Sequence, residues 1–142
     1  MSEKLIQVDE VFPAFNCSQT VIKLFAPEMG LDESTALKIA SGFGGGMACA
    51  ETCGAITGSY MVIGYKHGND NSDPNAKAHT KSLIKKFNEK FAAEQGSLIC
   101  KKLIGYDISK PEEAEAAKEA EVFTKKCPEF IKTACKILDE DF

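Results

Sequence analysis

Three adjacent glycines, Gly44 to Gly46, lie near the start of the stretch GFGGGMACAETCGAITGSYMVIG (residues 42–64) and run into a helix-like segment that carries Cys53. No other stretch restricts the fold as much. Glycine lacks a Cβ, so this backbone can adopt positive φ and approach another group closely, and the run stops the helix that precedes it. The plainest reading is a tight turn between two helices, with a thiol close by. A helix starting near Glu51 would direct free amides and a positive dipole end at Cys53, which favours its thiolate.

The rest of the chain has helical spacing almost throughout. Val21, Ile22 and Phe25 follow Cys17 on one face, with Asn16 as N-cap and Pro27 and Gly30 marking the exit. Leu31 to Ala40 forms a second expected helix, capped by Asp32. A third runs from about Glu51 to Lys66, where Gly54 and Gly58, four apart, make a smooth strip suited to tight helix packing. The polar segment KHGNDNSDP is a loop ending in Asp73-Pro74, a cap followed by proline at the first helical position. Leu83, Ile84, Phe87 and Phe91 then mark the apolar stripe of a long helix through Lys77 to Gln95, with Lys81, Lys85, Glu89 and Glu94 on its solvated face.

Gly96 stops that helix, and Ser97 caps a short one carrying Cys100, Leu103 and Ile104, closed by Gly105. Asp107 to Pro111 opens another through Val122, and Cys127-Pro128 begins a last one with Phe130, Ile131, Ala134 and Leu138 facing inward. The expectation is all-α: a single domain over residues 1–142, a multi-helix bundle with short loops and a glycine-rich loop before the central helix. At 142 residues with 44% hydrophobic side chains, the chain can bury a genuine core.

A net charge of −4, with lysines spread among acidic neighbours, leaves no footprint for nucleic acid. MSEKLIQVDEVF lacks the features of a secretory leader, and the most apolar run, Ile56 to Tyr65, is far shorter than the roughly 20 residues that span a bilayer. A cytoplasmic protein is expected. There the six cysteines would not form a structural disulfide framework. Redox chemistry, metal ligation and core packing remain, and any single cysteine reads equally well as a small core residue. No two cysteines form a CxxC pair, so spacing alone identifies no cofactor.

Phe15-Asn16-Cys17, the GFGGGM loop, Cys53-Gly54-Ala55-Ile56-Thr57-Gly58, Gly96-Ser97 before Cys100, and Cys127 together resemble the redox-active family named for its C-GCAxxG-C-C pattern, over nearly the whole chain. The resemblance implies that Cys17, Cys53, Cys100 and Cys127 act as one set and leaves Cys49 and Cys135 outside it. Cys17, Cys53 and Cys127 each fall at an expected helix N-terminus and Cys100 falls early in a short helix, placements that lower thiol pKa.

Four such thiolates could converge on an iron-sulfur cluster or a tetrahedral zinc site, or work as two dithiol pairs. The usual ligand count of an iron-sulfur site favours the cluster, with Gly44, Gly45 and Gly46 letting backbone amides approach its sulfurs. Electron transfer to an unidentified redox protein is the first expectation. A metal-free thiol/disulfide oxidoreductase and a zinc-stabilised interaction module are the alternatives.

Cys49, four before Cys53, would share its helix face and is the substitute ligand should Cys17 be remote. Cys135 reads as core or a free thiol, Glu51 as a complement to the helix dipole. His67, in a polar loop, and His79, on an outer face, read as solvated. The smooth glycine faces would also suit a homo-oligomer.

Overall fold

A computed structural model describes residues 3–142; Met1 and Ser2, part of the stretch read for a leader, lie outside the described residues. The all-α expectation holds. Eight helices and no strand are found among the described residues: α1 Glu3–Val11, α2 Cys17–Met29, α3 Glu33–Ala40, α4 Gly54–His67, α5 Pro74–Gln95, α6 Cys100–Ile104, α7 Pro111–Glu119 and α8 Val122–Asp141.

Side-chain caps start α2, α3 and α5. Ser97 does not cap α6: the N-cap there is Ile99, and Ser97 Oγ accepts from the Ile99 amide at 3.1 Å in the turn before the helix. Asn16 accepts from the Gln19 amide at 2.9 Å while Gln19 Oε1 accepts from the Asn16 amide at 3.2 Å, a reciprocal box that starts α2. Pro27 does not end this helix. It sits in the last turn, where its missing N–H costs one bond, and Gly30 closes the helix in the left-handed conformation. Asp32 caps α3 through the Thr35 amide at 3.0 Å. Asp73 and Pro74 start α5, and Gly96 ends it.

The centre of the molecule is the α2–α4 pair, the most extensively packed in the fold. A Cβ on Gly54 would meet Cys17 Cβ at 3.0 Å, and one on Gly58 would meet the Ser18 carbonyl at 2.7 Å. The smooth strip expected on α4 is therefore the seat of α2. α8 and α5 close the core with fully buried Phe87, Phe91, Ile131 and Leu138. Phe87 and Phe91 stack with ring centroids 6.1 Å apart. Ile22, Ala36 and Ala40 make a smaller cluster under α3.

Four expectations need revision. α1 lies in a stretch examined only for leader features; it docks through fully buried Val8 and through Lys4, which bridges Glu28 and Asp139 at 2.7 and 3.2 Å. α4 starts at Gly54 rather than Glu51, because residues 51–53 are extended and pair with residues 98–100. α7 ends at Glu119, where a turn with Glu121 at φ 56° separates it from α8.

α8 starts at Val122 and runs unbroken through Pro128, so Cys127 is not its cap but its sixth residue. One lost backbone bond at Pro128 is outweighed by an apolar face that continues from Val122 through Cys127, Phe130, Ile131, Ala134 and Leu138, all buried.

Candidate functional site

Residues 44–53 are not a simple loop. Gly45, Gly46, Met47, Ala48 and Ala50 all have φ near +60°, three of them with a Cβ. Each left-handed non-glycine residue costs roughly 1–2 kcal/mol, so tertiary contacts must hold this turn. The Cys53 amide donates to the Leu98 carbonyl at 2.9 Å and the Cys100 amide donates to the Glu51 carbonyl at 2.6 Å. Two thiols distant in sequence are thereby pinned side by side. Cys53 is the N-cap of α4 and Cys100 the first residue of α6.

Cys17 reaches the same place as the first residue of α2, and Cys127 from inside α8. All four line one cavity of about 380 Å³. Phe12, Phe15, Phe123 and Phe130 form much of the remaining wall, together with Leu103, Ile104 and Ile108. No charged side chain is among the lining residues. The thiols are the floor, with 8, 4, 7 and 7% of Cys17, Cys53, Cys100 and Cys127 exposed. The rim is partly open, formed by Phe12, Pro13, Phe15, Gly45, Ile108 and Phe123.

The three glycines have three separate roles. Only Gly45 lines the cavity. Gly44 makes room for Asn16, whose side-chain carbon a Cβ would meet at 2.4 Å. Gly46 makes room for the Glu51 amide, at 2.4 Å, and for Cys100 Cβ, at 3.1 Å. Asn16 is fully engaged, since its Nδ2 also donates to the Ser41 carbonyl at 3.0 Å and ties the start of α2 to the turn after α3.

Burial reverses the expected electrostatics at Cys53 and Cys100. Cys53 is pushed up to about 12 and Cys100 to about 11, in both cases chiefly by loss of water; at Cys53 the Ala55 and Ile56 amides oppose the shift without overcoming it. A helix terminus contributes roughly 0.3–1 kcal/mol, too little against burying an anion. Cys17 and Cys127 act on each other: their proximity raises Cys17 well above its ordinary value, with burial adding to the rise, and lowers Cys127, with burial opposing.

The other candidates lie elsewhere. Cys49 is not on a helix with Cys53; it is exposed on the left-handed turn, its Sγ donating to the Gly46 carbonyl at 3.1 Å. Cys135 is core, fully buried, and its thiol is pushed up to about 12 by burial. Glu51 pairs with Lys101 at 3.5 Å instead of complementing the α4 terminus. His67 ends α4 with Nε2 3.0 Å from the Phe142 carbonyl, and His79 is exposed. Sequence reading missed the aromatic wall. Phe12, Phe15 and Phe123 flank the chain's cysteines or helix ends, but nothing in their spacing says that they share a cavity.

Four cysteines from four helix starts or faces, gathered around one uncharged cavity in an all-helical domain, define a thiol-based protein. Residues 15–140 match the family described as "Putative redox-active protein (C_GCAxxG_C_C)", and the chain belongs to that family. No curated protein and no solved structure matches it. No helix among the described residues is long and apolar enough to cross a membrane.

Proposed function

We propose that the protein is an electron carrier whose four-thiol cavity holds an iron-sulfur cluster. The observation that carries this reading is the joint lining of one apolar cavity by Cys17, Cys53, Cys100 and Cys127. The donor set suits the group: four thiols with no carboxylate or imidazole beside them. Four cysteine sulfurs are the usual ligand count of an iron-sulfur cluster. Among the described residues no three Cys, His, Asp or Glu side chains are already grouped to hold a metal ion, so a metal-bound form draws the thiols closer together.

When bound, such a cluster accepts and donates single electrons. The chain's own residues bind it and exclude water. Cys53 and Cys100 hold their protons until metal charge displaces them, so loading releases protons and is favoured by rising pH. The phenylalanine wall surrounds the sulfurs with apolar groups, a setting that tunes potential. The partner is a redox protein or small redox molecule.

A second reading rests on the pair Cys17 and Cys127, which line the same cavity and shift each other's acidity in opposite directions. In a dithiol cycle the Cys127 thiolate attacks a substrate disulfide and expels one thiolate, which takes up a proton. Cys17, deprotonated, then attacks the Cys127 sulfur and expels the second thiolate. Two electrons pass to the substrate and a Cys17–Cys127 disulfide remains.

Anaerobic purification from iron-supplied cells separates the two. Iron and acid-labile sulfide together, with a broad visible absorbance lost in Cys53→Ser, support the cluster. Colourless protein without metal, whose Cys17–Cys127 disulfide forms and is reduced reversibly, supports dithiol exchange. Stoichiometric zinc without sulfide overturns both.

A further inference from the structure

The thiols account for only one side of the cavity. Interiors normally close-pack, leaving few voids larger than water. Here Ile108, Phe12, Phe15 and Phe123 stand off from the floor and continue to a partly exposed rim, around a volume of about 380 Å³. That volume lies in the range of small-molecule sites, roughly 300–1,000 Å³. A wall needed only to seal a thiol-bound group would close over it, whereas this one forms a funnel from solvent to sulfur.

The lining also specifies the chemistry of an occupant. Besides the thiols, its one polar side chain is Asn16, whose amide already bonds to the Gln19 amide and the Ser41 carbonyl. A phosphate, carboxylate or ammonium would be desolvated there without a counter-charge, at a cost of several kcal/mol or more. An uncharged, largely apolar molecule loses nothing comparable and gains contact with four aromatic rings.

We propose that this funnel is a binding site for a neutral, apolar small molecule, which sits between the phenylalanine rim and the thiol floor. The inference rests on reading the cavity as the redox site, but not on which group the thiols hold. It gives the protein a small-molecule redox partner in place of a protein docked at a distance.

The probe is N-phenyl-1-naphthylamine, uncharged and fluorescent in apolar surroundings, titrated into protein purified anaerobically with its metal content measured in parallel. The expected result is saturable one-to-one binding to metal-loaded protein. Ile108→Trp, which fills the funnel, should weaken it at least tenfold while iron and sulfide are retained, and Ile39→Ser, at an exposed position away from the cavity, should leave it unchanged. Anionic 1-naphthalenesulfonate should bind at least tenfold more weakly.

Should Ile108→Trp not fold, a second readout applies. In metal-free protein the probe should slow N-ethylmaleimide labelling of Cys127 and not of exposed Cys49. Loss of the probe on cluster loading, absence of saturable binding, equal affinity for the anion, or equal protection of Cys49 each overturns the proposal. If the protein holds no iron yet the probe binds and responds to Ile108→Trp, the cluster reading fails and the funnel stands.

Discussion

The two halves of the thiol floor are built differently. Cys17 and Cys127 ride on regular helices, α2 and α8, and shift each other's acidity in opposite directions. Cys53 and Cys100 are held by backbone: a left-handed turn, a pair of cross-chain hydrogen bonds and a five-residue helix. The first half is placed by side-chain packing and retains one thiol poised to ionise. The second is placed by strain and retains two thiols that resist ionisation. Position within a helix therefore says little about a cysteine's acidity when burial dominates.

The largest expected effect is on pH dependence. Cys53 and Cys100 have folded values above their ordinary 9.0. Their contribution to stability is complete below pH 9 and is lost as pH rises through 11 to 12. In the metal-free protein Cys53 alone should lower unfolding free energy by about 3 kcal/mol by pH 11. Urea unfolding at pH 7 and pH 11, with and without Cys53→Ala, measures this; equal losses in both proteins would remove the backbone-held half from the comparison.

Gly46→Ala comes next. Its Cβ would meet the Glu51 amide at 2.4 Å at a φ of +62°, and a loss of about 3 kcal/mol is expected in the same unfolding assay. Gly54→Ala perturbs the helical half instead, pressing on Cys17 Cβ at 3.0 Å, and should cost about 1–3 kcal/mol. Asn16→Ala removes the α2 cap for about 1 kcal/mol, with Asn16→Asp restoring most of it. The smallest change in stability, yet the sharpest contrast, is Cys17→Ala. Without Cys17 beside it, Cys127 rises toward the ordinary thiol range, so its alkylation by iodoacetamide at pH 7.5 should slow. Cys53→Ala should leave that rate unchanged.

The helical half was the legible one. Asn16, Asp32 and Asp73-Pro74 announce their helices because capping is local chemistry, and the Gly54/Gly58 strip announces close packing because its period matches a helix turn. α8 runs through Pro128 because its apolar period extends back to Val122, and that longer pattern outweighs the local rule for proline. The turn at residues 45–50 is illegible for a different reason. Met47, Ala48 and Ala50 have no intrinsic preference for left-handed backbone, and contacts from residues 98–100 and Glu51 keep them there. The joint set of four cysteines comes from family resemblance; the cavity that unites them, and the mutual influence of Cys17 and Cys127, depend on distances between segments far apart in sequence.

Cys17 and Cys127 come from opposite ends of the sequence, and the floor is incomplete without α8. During synthesis, then, Cys17, Cys53 and Cys100 are made before the helix that completes their floor. Until α8 docks, the shelter of those sulfurs from oxidation rests on their surroundings and not on the fold.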